Sequence, residues 1–381
     1  MKISCMNNLI FLNHMLLFEL DQKIKNSSLY TDYLAIYRFF PSPPGIEYFN
    51  PRNMVVDLNG PWKLGPTATP LPAMPTTPIT FDEAADDFGS KICQELEQGR
   101  QVYLMWSGGI DSTAVATSVL KHIKPAYRSN LHVVLSDFSR HENPMFYHKF
   151  LSQFDQIDVS NFDPAQIDLS NSLILDGEGG DQIYGSSAAN KIFSLHPEKI
   201  LLPWRKNLDF LHNYWYKDSM PEFWDWLLEL MNKTIDHGPA PVETCFDFFW
   251  WLNFNCKLDC TLFRHTLRLS ENIVDQDFEY FSKTVMRRLY ASDKIQQWSM
   301  TAGAENKINQ AKKTVKWAGR KYIYDFDHNE YYFREKRKEF SSEVIAKLSA
   351  RYFAIDSQYR RYSFWDRETR QQIGDMFQLK G

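Results

Sequence analysis

Cysteine is scarce in this chain, five in 381 residues, and only Cys256 and Cys260 stand close together. An odd count without paired spacing argues against a disulfide-stapled secreted scaffold and points to a reduced, cytoplasmic setting. Long apolar runs are missing too. The opening stretch MKISCMNNLIFLNHMLLFEL is broken by Asn7, Asn8, Asn13 and His14 and runs into Glu19 and Asp21. It is too short and too polar to span a bilayer, and no small-residue cleavage site follows it. Folded structure is therefore expected there, with no membrane partner. An excess of positive charge is also absent: the formal balance is −4, and no long basic run appears. Nothing in that balance calls for a nucleic-acid surface. What the chain does have is apolar and aromatic side chain, 44% hydrophobic residues with 15% Phe, Trp and Tyr, enough for a sizeable core.

Residues 41–80 are rich in Pro, Gly, Thr and Asn and read as extended loops with short strand pieces. From Thr80 the pattern turns helical. TFDEAADDFGSKICQELEQGR offers Thr80 as N-cap, acids in the first turn and Gly99 near the stop. QVYLMW then reads as a strand, DSTAVATSVLKHI as a helix, LHVVLS as a strand, NPMFYHKFLSQF as a helix and SLILD as a further strand, with a helix from Gln182. Alternating strands and helices joined by tight glycine loops predict an α/β fold around a parallel, doubly wound sheet. Beyond residue 200 the pattern is long, aromatic and mostly helical. Three segments are expected: a loop-rich N-terminal extension over 1–79, a core over 80–200 and a mostly helical region over 201–381.

WSGGIDST follows the first of these strands. Gly108 and Gly109 permit positive φ and a close approach to the backbone, Ser107 and Ser112 add hydroxyls, and the amides opening the next helix point to the same spot. That arrangement suits an anion, most naturally the phosphates of a nucleotide. The Walker pattern is excluded because no lysine follows the glycines. The dinucleotide fingerprint is excluded because Ser112 or Thr113 stands where a third glycine is required. Asp111 then sets the kind of site. A carboxylate beside phosphates repels them unless a divalent cation lies between, and Mg²⁺ is the hard, oxygen-seeking ion that fits.

Ser-Gly-Gly-x-Asp-Ser resembles the PP-loop of the N-type ATP pyrophosphatases, which cleave ATP between its α- and β-phosphates and adenylate a carbonyl oxygen. A second stretch, LDGEGGDQIYG, resembles the Gly-Glu-Gly-Ala-Asp-Glu-Leu-Phe-Gly signature of asparagine synthetase and its relatives, with departures at Gly180, Gln182 and Tyr184. The resemblance covers residues 80–200 well and 300–345 loosely. It implies the PP-loop type of parallel sheet, ATP and Mg²⁺, with Asp111 and Asp181 as metal ligands and Gly177 and Glu178 against the adenylate and the substrate. Leu135, at the end of the second strand, is implied as an adenine contact, and His141 and Glu142 beyond it are open to substrate. In TVKWAGRKYIYDFDHNEYYFREKRKEFSS, a lysine that neutralises phosphate charge is implied, and the spacing leaves Lys336 and Lys338 as candidates, with Lys338 favoured. Lys316 and Arg320 rank behind them as phosphate contacts, ordinary surface charge being the commoner reading. A catalytic acid is implied between 200 and 300, where Glu222 and Glu229 are guesses. Cys256, Cys260 and His265 outline a zinc site on paper, although helical spacing in WWLNFNCKLDCTLF fits core packing better.

The glutaminase domain of full-length relatives is expected to be absent or reduced to a remnant within 1–79. Its nucleophile is a cysteine exposed by removal of Met1, and Lys2 stands there. The nitrogen source is then free ammonia, an amine, or a separate glutaminase subunit. The expected activity is an AMP-forming ligase that joins a small carboxylate to ammonia or an amine. Two alternatives stay open: a PP-loop enzyme modifying a nucleobase or tRNA, and a non-catalytic ATP-binding homologue.

Overall fold

In the computed structural model the described residues are 9–11, 69–216, 221–256, 258–269, 280–335, 351–356, 361–366 and 372–373, some helical side chains within these ranges excepted. Thr80 opens the first helix, α1 (Phe81–Glu97), through a capping box: its hydroxyl accepts the Glu83 amide, and the Glu83 carboxylate accepts the Thr80 amide. The buried face of α1 carries Phe81, Ala84, Ala85, Phe88, Ile92 and Leu96 at helical spacing. Next come β1 (Gln101–Met105), α2 (Ile110–Leu120), β2 (Leu131–Leu135), α3 (Asp137–Glu142), β3 (Asp155–Asp158), β4 (Ser172–Asp176) and α4 (Gly180–Tyr184). After a long excursion the same unit resumes with β5 (Met286–Arg288), α5 (Asp293–Thr301), α6 (Trp317–Asp327) and α7 (Glu330–Glu335).

The five strands form one sheet in the order β3-β2-β1-β4-β5, and every pairing is parallel. The protein is therefore α/β, as its strand–helix alternation predicts. β4 is buried along its whole length, because a parallel strand is covered on both faces. On one side α1 and α2 pack together, and α6 lies against both. On the other, Ile174, Phe281, Val285 and Met286 form a buried cluster flanked by Tyr103, Met105 and Phe162. From β1 the chain steps outward to β2 and β3, then jumps to the far side of β1 to lay down β4. That reversal opens a crevice between the carboxyl ends of β1 and β4, where open α/β sheets bind ligands.

By contacts the chain divides into two compact units, one of Pro72–Tyr184 with His265–Ala346 and one of Met1–Leu71, Gly185–Arg264 and Lys347–Gly381. These limits differ from the expected boundaries at 79/80 and 200/201. The sheet unit is discontinuous, and residues 185–264 interrupt it. Within the second unit the helices Ser186–Leu195, Pro221–Asp236 and Cys245–Cys256 bury many rings, among them Trp204, Trp250 and Trp251. The indoles of Trp204 and Trp251 donate to the Val242 carbonyl at 3.0 Å and the Thr234 hydroxyl at 3.1 Å, as buried Trp requires. Near the end of 201–381 short strands also occur. Arg351–Asp356, Arg361–Asp366 and Gln372–Ile373 are strands that join Leu9–Phe11 in an antiparallel sheet. Aromatic positions coincide across its central ladder, Tyr352 with Trp365 and Phe353 with Phe364, a pairing that favours strands. No helix among the described residues is long and apolar enough to cross a membrane.

Candidate active site

β1 ends at Met105, and the chain enters WSGGIDST at the mouth of the crevice. Gly108 turns with φ +74°, and a Cβ there would lie 2.5 Å from the Ser139 carbonyl and 2.7 Å from Glu142 Cβ. Only glycine fits both demands. Ser112 knots the turn: its hydroxyl accepts the Ser107 amide at 3.1 Å, lies 3.0 Å from the Ser107 hydroxyl and donates to the Gly109 carbonyl at 3.2 Å. Tyr332 of α7 donates to the Gly108 carbonyl at 2.9 Å from outside the loop. The head of α2 is thus held in place, with Asp111 in its first turn and Gly109 as an extended N-cap that carries no side chain.

β4 delivers the second loop. Gly177 lies against the head of α2, where a Cβ would come within 2.7 Å of the Ser112 amide. A Cβ on Gly180 would sit 2.4 Å from Asp111 Cγ and 2.6 Å from its Oδ1. The missing methyl at Gly180 leaves the space that the Asp111 carboxylate fills. Asp181 follows at once, in the first turn of α4.

Asp111 and Asp181 meet at one cation. Lys316 Nζ bonds Asp111 Oδ2 and lies 2.8 Å from Asp181 Oδ1. Burial works against the Lys316 charge, yet the two carboxylates outweigh it and hold the ammonium protonated well above the ordinary lysine range. The lysine caps α6 in a left-handed conformation, φ 57° and ψ 41°, that few non-glycine residues adopt. Side-chain exposure is 13% for Lys316, 22% for Asp111 and 41% for Asp181, so the cluster is open to a ligand on the Asp181 side.

Leu135 is buried at the end of β2, and its carbonyl accepts the Val159 amide at 2.9 Å. Glu178 is half-buried, and its amide donates to Asp176 Oδ1 at 3.0 Å. Lys336 and Lys338 lie outside the described residues. Glu229 is exposed and ion-paired with Lys233 at 2.5 Å, and Glu222 lies in the helix Pro221–Asp236. His141 bonds its own turn through the Asp137 carbonyl, whereas Glu142 is buried beside Gly108.

Two lysine-segment readings change. Lys316 is the cation between the acidic loops rather than ordinary surface charge. Arg320 is buried and donates to the carbonyls of Val315, Tyr332 and Phe333 at 2.9, 3.3 and 3.2 Å, so it staples α6 to α7. The signal for Lys316 was its place at the head of Lys-x-x-x-Arg. Its separation of 205 residues from Asp111 hid the contact. His265, in turn, engages Asp176, its Nδ1 lying 3.0 Å from Asp176 Oδ2, while the Cys256 and Cys260 side chains lie outside the described residues. Among the described residues no group of three His, Cys, Asp or Glu side chains could hold a metal ion.

Asp176 closes β4 and is fully buried. Burial alone would raise its pKa, but Arg288 and His265 outweigh that effect and hold it far below the usual carboxylate range. Arg288 Nε reaches both oxygens, at 3.0 and 2.8 Å, from the register position opposite on β5.

No protein-family model matches the chain, and the search of curated proteins finds no match either. The motif residues and their geometry carry the functional reading.

Proposed function

We propose that the chain is an ATP-dependent, AMP-forming ligase of the asparagine synthetase type, joining a carboxylate to ammonia or an amine. One observation carries the reading: Asp111 and Asp181, from the loops after two adjacent parallel strands, converge on a single cation at the switch point of the sheet. Nothing in a helix–strand scaffold demands two carboxylates around one positive charge at its ligand-binding edge. A pair of metal-binding loops does.

The residues fit Mg²⁺. Both side chains offer hard oxygen donors, the space left by Gly180 accommodates one of them, and the position between them already favours positive charge. Asp111 and Asp181 would hold the ion, which would supply positive charge against the phosphates and the departing pyrophosphate. The chain's own groups do the rest. The Ser107–Ser112 turn and the opening amides of α2 receive the phosphates. Lys316 exchanges its carboxylate partners for phosphate oxygens as these arrive, a role suited to a flexible ammonium. A substrate carboxylate oxygen attacks the α-phosphorus, the bond to the β-phosphate oxygen breaks, and a nitrogen nucleophile later displaces AMP from the acyl group. Positioning and charge neutralisation supply most of the acceleration.

The decisive measurement is exchange of labelled pyrophosphate into ATP across a panel of carboxylates. Acid-dependent exchange is expected. ADP as product, or AMP release with no acid present, overturns the reading, and release dependent on added RNA transfers it to nucleobase modification.

A further inference from the structure

An amide-forming step needs a group to take a proton from the incoming nitrogen, and Asp111, Asp181 and Lys316 are committed to charge. Among the described residues at the carboxyl edge of the sheet, His265 carries a ring nitrogen suited to that task. Its Nδ1 lies 3.0 Å from Asp176 Oδ2. Arg288, on both oxygens of that carboxylate, keeps it ionised, and an ionised carboxylate only accepts. Nδ1 therefore carries the hydrogen, and in the neutral ring the Nε2 lone pair faces away from Asp176. A buried acid that fixes a histidine tautomer in this way is the arrangement that makes an imidazole a directed base.

The location agrees. Asp176 immediately precedes the Gly177–Asp181 loop, and its Oδ1 holds the Glu178 amide of that loop. The imidazole thus stands at the mouth of β4, beside the turn that carries Asp181. It retains 18% side-chain exposure while Asp176 retains 3%, so the acid is sealed and the histidine is reachable. His265 pairs with Asp176, whose carboxylate Arg288 also holds.

We infer that His265, oriented by Asp176, is the general base of the amide-forming half-reaction. The inference rests on the ligase reading above. In this step the nitrogen lone pair forms the C–N bond to the acyl carbon, and His265 Nε2 takes a proton from that nitrogen. The bond from acyl carbon to the AMP oxygen breaks, and AMP leaves with the electron pair. The imidazolium then returns its proton to solvent.

His265→Asn tests this, because the asparagine amide can still donate to Asp176 while the Nε2 base is gone. Acid-dependent pyrophosphate exchange, which involves no nitrogen, is expected to stay within about threefold of wild type. Ammonia- or amine-dependent amide formation should fall about 10²-fold or more. Amide formation at the wild-type rate overturns the assignment. Equal loss of both half-reactions, or a failure of H265N to fold, assigns His265 a structural role instead and overturns it too. Absence of exchange in wild-type protein is a separate result that overturns the ligase reading itself.

Discussion

Asp176 and Asp181 stand at the two ends of one short glycine loop, yet their surroundings are opposite. Asp176 is sealed, bonded by an arginine, a histidine and a backbone amide, and carries its charge as part of the fold. Asp181 is 41% exposed and shares a lysine with Asp111. A rigid, buried guanidinium gives a permanent pair, whereas a flexible ammonium gives one that a ligand can replace. The same residue type therefore serves as a fixed anchor at one end of the loop and as an exchangeable donor at the other.

The sharpest test sets two substitutions side by side. On the proposed reading Asp181→Ala should reduce turnover by about 10³-fold, since losing a ligand to Mg²⁺ would forfeit several kcal/mol of charge stabilisation. Its urea midpoint should stay near that of wild type, because an exposed carboxylate contributes little to the fold. Asp176→Asn should instead strike the fold, costing about 3–5 kcal/mol of stability by leaving Arg288 buried without its counter-charge. If D181A unfolds and D176N does not, the contrast between the two acids fails.

Acid should expose the same difference. The folded pKa of Asp176 is depressed, so the native state binds fewer protons than the unfolded chain below about pH 4. Its contribution is whole above that value and is lost as pH falls further through the native value. The stability gap between wild type and D176N, measured in urea at a series of pH values, should therefore shrink below about pH 4.

Lys316→Gln probes the exchangeable side. Turnover should drop about 10²-fold, as for loss of one charge-stabilising donor. Calorimetry should show Mn²⁺ binding that is tighter than in wild type, since no ammonium competes for Asp111 and Asp181. Unchanged metal affinity would mean that the lysine does not compete for that position. The mildest change is Gly180→Ala. Its methyl must displace the Asp111 carboxylate, and affinity for Mg-ATP should weaken about tenfold, roughly 1.4 kcal/mol.

Much of the sheet was legible because its signals are local. Thr80 with Glu83 marks a helix start, the apolar runs of β1, β2 and β4 mark buried strands, and Gly108 marks the turn between strand and helix. β3, with the sequence Asp-Gln-Ile-Asp, and β5, with Met-Arg-Arg, were not legible, being short polar strands at the two edges. The helix expected from Gln182 begins at Gly180 instead. The site divides in the same way. Asp111 and Asp181 were named from their loops, while Lys316 was passed over for Lys336 and Lys338, and the bond of His265 to Asp176 was not foreseen.

By itself the sequence determined the parallel α/β core, the two glycine loops and the acids they carry, because propensity, capping and turn chemistry act over a few neighbouring residues. Tertiary structure alone decided which charges meet. Lys316 reaches Asp111 across 205 residues and His265 reaches Asp176 across 89, and no local period encodes such distances. Those pairings come from strand order and helix packing, which fold two remote segments onto the same edge of one sheet.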